Sequence, residues 1–201
     1  MAYNRAAAVA YARQYCDKVC HDGKVATKSG YPSQINNVTL TPGLPFKEIG
    51  PMPNDDDCTH FISCCVGQGP GGGLSIKSPF GVDHAPDQPD LKVYGETYAP
   101  RLVGALIIRG AKFIMGSLAG ARQFMVNSND ATKAAIQNLS GGDVVAYAEV
   151  TNLERDGTGK YKHMAILLDS DGKIACHTKS RCGTVDYTDV YYPWITLLKM
   201  P

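Results

Sequence analysis

In Asp57-Cys58-Thr59-His60-Phe61-Ile62-Ser63-Cys64-Cys65, the residues Cys58, Phe61, Ile62, Cys65 and the following Val66 recur at i, i+3, i+4, i+7 and i+8. That spacing predicts a short helix with one apolar stripe turned to the core and Cys58 in its first turn. Asn54, Asp55, Asp56 and Asp57 lead into it, and the three aspartate carboxylates complement the positive end of the helix dipole. A cysteine at such a position is a candidate nucleophile, because unpaired backbone N–H groups favour a thiolate and can help to bind an oxyanion. The dipole alone is too weak: a helix end contributes about 0.3 to 2 kcal/mol, against about 1.36 kcal/mol per pKa unit. The neighbouring aspartates also oppose a thiolate. A histidine therefore has to reach Cys58 from elsewhere in the chain; without one, Cys58 is a small apolar core residue.

The 201 residues, 44% of them hydrophobic, fit one domain spanning 1–201 with a substantial core. A net charge of +1, with acids and bases interspersed, gives no footprint for nucleic acid or an anionic membrane. Seven cysteines leave at least one free thiol. Cys16 and Cys20, one helical turn apart, and the adjacent Cys64 and Cys65 are poorly placed to bridge, whereas Cys176 and Cys182 could pair across a loop. Met-Ala-Tyr-Asn-Arg at the start lacks the pattern of a signal peptide. A mature chain, export by another route and an internal location all stay open, with an extracytoplasmic site weakly favoured.

Before Cys58, Ala8, Tyr11, Ala12, Tyr15, Cys16 and Val19 predict a packing helix from about Asn4 to Cys20. His21 to Asp57 reads as a long connection with a short strand near Val38 to Leu40, and its Tyr31 is a candidate cleft residue. After the cysteine helix, Gln68-Gly69-Pro70-Gly71-Gly72-Gly73 lacks the Gly-Lys-Ser/Thr ending of a phosphate loop and reads as a flexible cleft rim. Ser75 to Glu96, which includes His84, reads as irregular. Tyr98 to Met125 reads as core helices joined by a turn, since Arg109, Lys112 and Arg122 interrupt any membrane span. Leu139 to Tyr147 is a Gly-Asp turn feeding a strand, with Asp143 a turn residue.

The polar turn Arg155 to Lys162, with Asp156 its one carboxylate, gives way to His163-Met164-Ala165-Ile166-Leu167-Leu168, a buried strand with His163 at its entrance. Ser170-Asp171-Gly172 returns the chain into Lys173 to Thr178, which carries His177. Whether the two histidines cooperate depends on register. A three-residue turn sets His177 diagonal to His163 on one face, with Cα atoms about 7 to 8 Å apart. A five-residue turn sets them directly opposite, and a two- or four-residue turn sends them to opposite faces.

Tyr3-Asn4-Arg5-Ala6-Ala7-Ala8, the Asp-Cys-Thr-x-Phe of residues 57–61, the Gly142-Asp143 turn, His163-x-Ala-Ile and His177-Thr178 together resemble the bacterial putative amidase domain family, a branch of the papain-like, NlpC-like cysteine hydrolases. His60 and Cys64 depart from the Asn and Gln of that family's first motif. The resemblance implies an α+β papain-like fold with the nucleophile at a helix start packed on an antiparallel sheet. It also implies a Cys58-His163-His177 triad in which His163 is the base and His177 holds its tautomer. The expected reaction is hydrolysis of an amide in a peptide or peptidoglycan-like substrate, through a thioester and without cofactor or metal.

Asp57, His60 and Tyr31 are candidate substrate contacts. His60 is a poor rival base, because residues two apart on a helix do not face each other. Two other functions compete. One is a zinc-stabilised or non-catalytic binding module using Cys16, Cys20 and His21 with Cys176, His177 and Cys182, although these spacings lack the usual Cys-x2-Cys knuckle. The other is an acyltransferase or deamidase with the same three residues. Oligomeric state is not legible.

Overall fold

The computed structural model describes residues 2–28, 34–35, 40–49, 57–67, 69–74, 98–119, 123–125, 139–148, 161–177, 180–190 and 192–201. Four helices are described: α1 (Arg5–Tyr15), α2 (Phe46–Ile49), α3 (Cys58–Val66) and α4 (Ala99–Ile108). A two-stranded sheet pairs β1 (Ala26–Lys28) with β2 (Gln34–Ile35). The main sheet has seven antiparallel strands in the order β4-β3-β9-β5-β6-β7-β8. They are β3 (Lys112–Ala119), β4 (Gln123–Met125), β5 (Val144–Ala148), β6 (Tyr161–Leu167), β7 (Lys173–Cys176), β8 (Arg181–Asp186) and β9 (Trp194–Lys199). The α+β class and the antiparallel sheet match the expectation. No described helix is long and apolar enough to cross a membrane.

Asn4 caps α1 by accepting from the Ala7 amide at 3.0 Å, and an alanine-rich sequence carries the helix forward. The helix stops at Tyr15, short of the expected Cys20. Beyond it the Val19 amide donates to the Leu44 carbonyl and its carbonyl accepts from Gly43, so this backbone is committed outside the helix. Asp143 fastens the helix to the sheet. Its buried carboxylate takes Arg5 at 2.6 Å and the amides of Ser140 and Met200 at 3.0 and 2.8 Å.

Side chains alternate across β6. Met164, Ile166 and Leu168 pack with Ala8 and Tyr11 of α1, Phe61 and Ile62 of α3, and Leu102 and Leu106 of α4. Ala165 and Leu167 face the other way, into a second core with Val145, Tyr147, Ile174, Cys176, Leu197 and Val190. Helices thus cover one face of the sheet, and residues after β8 help to close the other.

Two expectations are corrected here, and a pairing that spacing left open is decided. Tyr98 to Met125 is not helical throughout: α4 ends where Gly110 takes a φ of +97°, and β3 and β4 follow. The glycine-rich stretch is no flexible rim in its described part. Gly72 N donates to Cys65 O at 2.8 Å and Gly73 N to Gly67 O at 2.7 Å, and a Cβ on Gly71 would sit 2.2 Å from the Cys64 carbonyl oxygen. Cys182 bridges Cys16, not Cys176, joining the end of α1 to β8 with Cα atoms 5.5 Å apart. Tyr31, His84, Val38, residues 54–56, residues 75–97 and the 155–160 turn lie outside the described residues.

Candidate active site

Cys58 is the first residue of α3, as its periodicity predicts, and its side chain is buried. The Asp57 carbonyl accepts from the Phe61 amide at 3.0 Å, which sets the first turn. The Asp57 side chain makes no capping bond to that turn, because both its oxygens are engaged elsewhere. Cys58 Sγ lies 3.8 Å from Thr59 Oγ1.

His163 sits on β6 opposite Tyr147 of β5. Its ring stacks with Tyr147 at 5.4 Å and with Tyr192 at 6.0 Å between centroids. Burial, followed by the positive charge of Arg181, pushes its pKa down to about 3, so the imidazole is neutral at physiological pH. Helix α3 packs across β6 on the face of Met164 and Ile166, whereas the His163 ring lies on the opposite face with Tyr147. Cys176, in the same core as Tyr147, has its thiol pushed up to about 12 by burial and then by nearby Cys58. The described contacts include no hydrogen bond between Cys58 and His163.

His177 does not join His163. The β6–β7 register pairs Ile166 with Ala175 and Leu167 with Ile174, and Leu168 N donates to Lys173 O at 2.7 Å. Four residues, 169–172, make the turn, so the two histidines lie on opposite faces of the sheet. The expected orienting role of His177 is thereby corrected. Its ring stacks on Phe61 of α3 at 4.1 Å, Nε2 donates to the Tyr15 carbonyl at 2.8 Å, and Nδ1 meets the Asp57 carboxylate.

Asp57 and His60, expected as substrate contacts, are buried instead and bound to each other. His60 Nδ1 lies 3.0 Å from Asp57 Oδ1, and His60 Nε2 lies 2.9 Å from Asp22 Oδ2. Burial disfavours the charged ring, but Asp22 and then Asp57 outweigh it and hold the pKa of His60 well above its usual value. Burial likewise opposes ionisation of Asp57, yet His60 and His177 bring it down to about 2. For His177, Cys20 and Asp57 overcome burial and raise the pKa. The result is a buried network of two imidazolium rings and two carboxylates.

Asp22 was missed as a member of this site, and Cys20, expected only as one of the zinc ligands, lies beside it. Their signal in the sequence is Cys20-His21-Asp22 directly after α1, with His60 and Cys64 one turn apart on α3. The zinc set expected from Cys16, Cys20, His21, Cys176, His177 and Cys182 does not assemble, because the disulfide consumes Cys16 and Cys182. In comparisons with known proteins, no family model, curated protein or solved structure matches this chain.

Proposed function

We propose that this protein is a cysteine hydrolase of papain-like, NlpC-like type that cleaves an amide bond in a peptide-like substrate, with cell-wall peptide the first class to test. The observation that carries the reading is Cys58 at the start of a helix and close to Cys176, which shares with His163 the Tyr147 face of the sheet. Cys58 Sγ attacks the amide carbonyl and passes its proton to neutral His163. The backbone N–H of Cys58 supports the oxyanion. His163 returns the proton to the departing amine, and water then cleaves the thioester, regenerating the thiol.

Cys58 and His163 are each only 3% exposed, so turnover requires an opening that admits substrate and hydrates the imidazole. Hydration restores proton affinity to a ring whose pKa burial now depresses. With His177 engaged elsewhere, the ring contacts of Tyr147 and Tyr192 orient His163 in place of a third polar residue.

The burial of Cys58 favours one rival, a non-catalytic binding module. Both readings are tested by exposing wild type and Cys58→Ala to cell-wall fragments and peptides and identifying products by mass spectrometry. Turnover by wild type alone supports the hydrolase. Equal turnover by the two proteins removes Cys58 as nucleophile, and no turnover with intact binding favours the module.

A further inference from the structure

We infer that Cys20, His60 and Cys64, with Asp22 as fourth donor, form a binding site for one zinc-like divalent ion. Cys20 Sγ, a His60 ring nitrogen and Cys64 Sγ all lie within 4.8 Å of one another, and all three residues are buried. His60 Nε2 is 3.5 Å from Cys64 Sγ. Asp22 Oδ2 lies against two of the three, 2.9 Å from His60 Nε2 and 3.8 Å from Cys64 Sγ. A tetrahedral zinc with bonds of about 2.0 to 2.3 Å holds its donor atoms about 3.3 to 3.8 Å apart. Cys64 Sγ already lies 3.5 Å from His60 Nε2 and 3.8 Å from Asp22 Oδ2, while the 2.9 Å hydrogen bond between Asp22 and His60 would have to open by about 0.4 Å. Two thiols, an imidazole and a single carboxylate suit a borderline-soft ion and are a poor set for calcium or magnesium.

The surroundings add a second argument. A metal-bound histidine usually gives its other ring N–H to a carboxylate, which fixes the tautomer and orients the ring. His60 Nδ1 has such a partner in Asp57 at 3.0 Å, and Nε2, 2.9 Å from Asp22 Oδ2 and 3.5 Å from Cys64 Sγ, would exchange its proton for the ion. Asp57 is itself held by His177. His60 and Cys64 are one turn apart on α3 and share a face, while Cys20 and Asp22 belong to the segment that follows α1. An ion here would tie that segment to the helix bearing Cys58.

The site does not depend on Cys58 being a nucleophile, so its test is separate from any activity. Elemental analysis of the full-length protein, purified without chelator, is expected to give one zinc per chain in wild type and in Cys58→Ala. At least a tenfold loss is expected in Cys20→Ala and in Cys64→Ala. Should those variants fail to fold, cobalt(II) loading of wild type decides the matter: a thiolate-to-cobalt charge-transfer band with tetrahedral ligand-field absorption supports the site. Metal far below one per chain with no such band overturns it. So does full metal content in folded Cys20→Ala or Cys64→Ala protein, or a Cys20–Cys64 disulfide in the non-reduced peptide map.

Discussion

His177 spans from the end of β7 to the residue just before the candidate nucleophile, its Nδ1 meeting the Asp57 carboxylate while Nε2 donates to the Tyr15 carbonyl. A carbonyl oxygen can only accept, so Nε2 carries a proton, and the ionised Asp57 places a second proton on Nδ1. His177 is thus a buried cation that fastens α3 to β7. Its distance from the chemistry of His163 separates two effects that a triad would merge. Replacing His177 with Gln is expected to lower stability while leaving the rate of Cys58 labelling by an electrophilic thiol probe unchanged in the folded protein. Replacing His163 with Ala is expected to slow that labelling. Equal slowing by both substitutions would restore His177 to the catalytic group.

Asp57 compensates two imidazolium rings, His60 and His177. Asp57→Asn keeps the shape and removes the charge, leaving both cations without their shared counter-ion. Breaking a buried pair in this way costs about 3 to 5 kcal/mol. Urea unfolding monitored by circular dichroism should show a loss of that size; a change of under about 1 kcal/mol, typical of an exposed pair, would mean that the network is not ionised.

His163 should make stability depend on pH in a defined window. Its pKa is about 3 in the folded protein and near 6.5 when unfolded, so between those values the unfolded chain binds the extra proton. Its contribution is fully present above about pH 6.5 and is lost as pH falls toward about 3. The paired histidines have raised values and lose their contribution on the alkaline side, and Asp57 titrates near pH 2. Between pH 4 and 6, His163→Phe should flatten the slope of unfolding free energy by up to about 1.4 kcal/mol per pH unit. An unchanged slope would mean that His163 is hydrated in the folded state.

The Cys16–Cys182 bridge closes most of the chain into one loop, with 166 residues of separation. Cys16→Ser with Cys182→Ser should lower stability by about 2 to 5 kcal/mol, the usual cost of removing such a cross-link. A thermal melt of the double variant, with a peptide map of the non-reduced wild type, checks both the bridge and its effect. A map showing Cys182 joined to Cys176 would contradict the structure.

Gly71 is closed in by backbone oxygens of Cys64, Cys65 and Gly67. An added methyl group has to displace main chain, not the end of a flexible side chain. Gly71→Ala should cost about 1 to 3 kcal/mol, the range for overpacking, whereas Gly43→Ala meets no steric neighbour and is strained only by its φ of +78°. Equal melting temperatures for Gly71→Ala and wild type would refute the close packing of this loop on α3.

Much of the local structure was legible from periodicity. The apolar repeat around Cys58 gave α3, the alanine-rich opening gave α1, and the unbroken run from His163 gave β6. What failed depended on partners distant in sequence. Lys112–Ala119 resembles a helix on a hydrophobicity count alone, and its strand character comes from pairing with β9, about eighty residues later. The disulfide joins the two ends of the chain, and spacing alone cannot specify connectivity.

The histidine pair failed for a different reason. Register turned on a single residue of turn length, and that information sat in Asp169, whose carboxylate accepts from the amides of Asp171 and Lys173 at 3.1 Å each. That side-chain turn closes the four-residue connection. The buried ion network escaped notice because Asp22 and His60 are 38 positions apart.

Reactivity at Cys58 Sγ tests the central claim most directly. Wild type incubated with a peptide-amide substrate and quenched at early times should carry an acyl group on the Cys58 peptide by mass spectrometry, and Cys58→Ala should neither acylate nor release product. Product formation at the wild-type rate by Cys58→Ala, or acylation of Cys64, Cys65 or Cys176 in place of Cys58, would contradict the account.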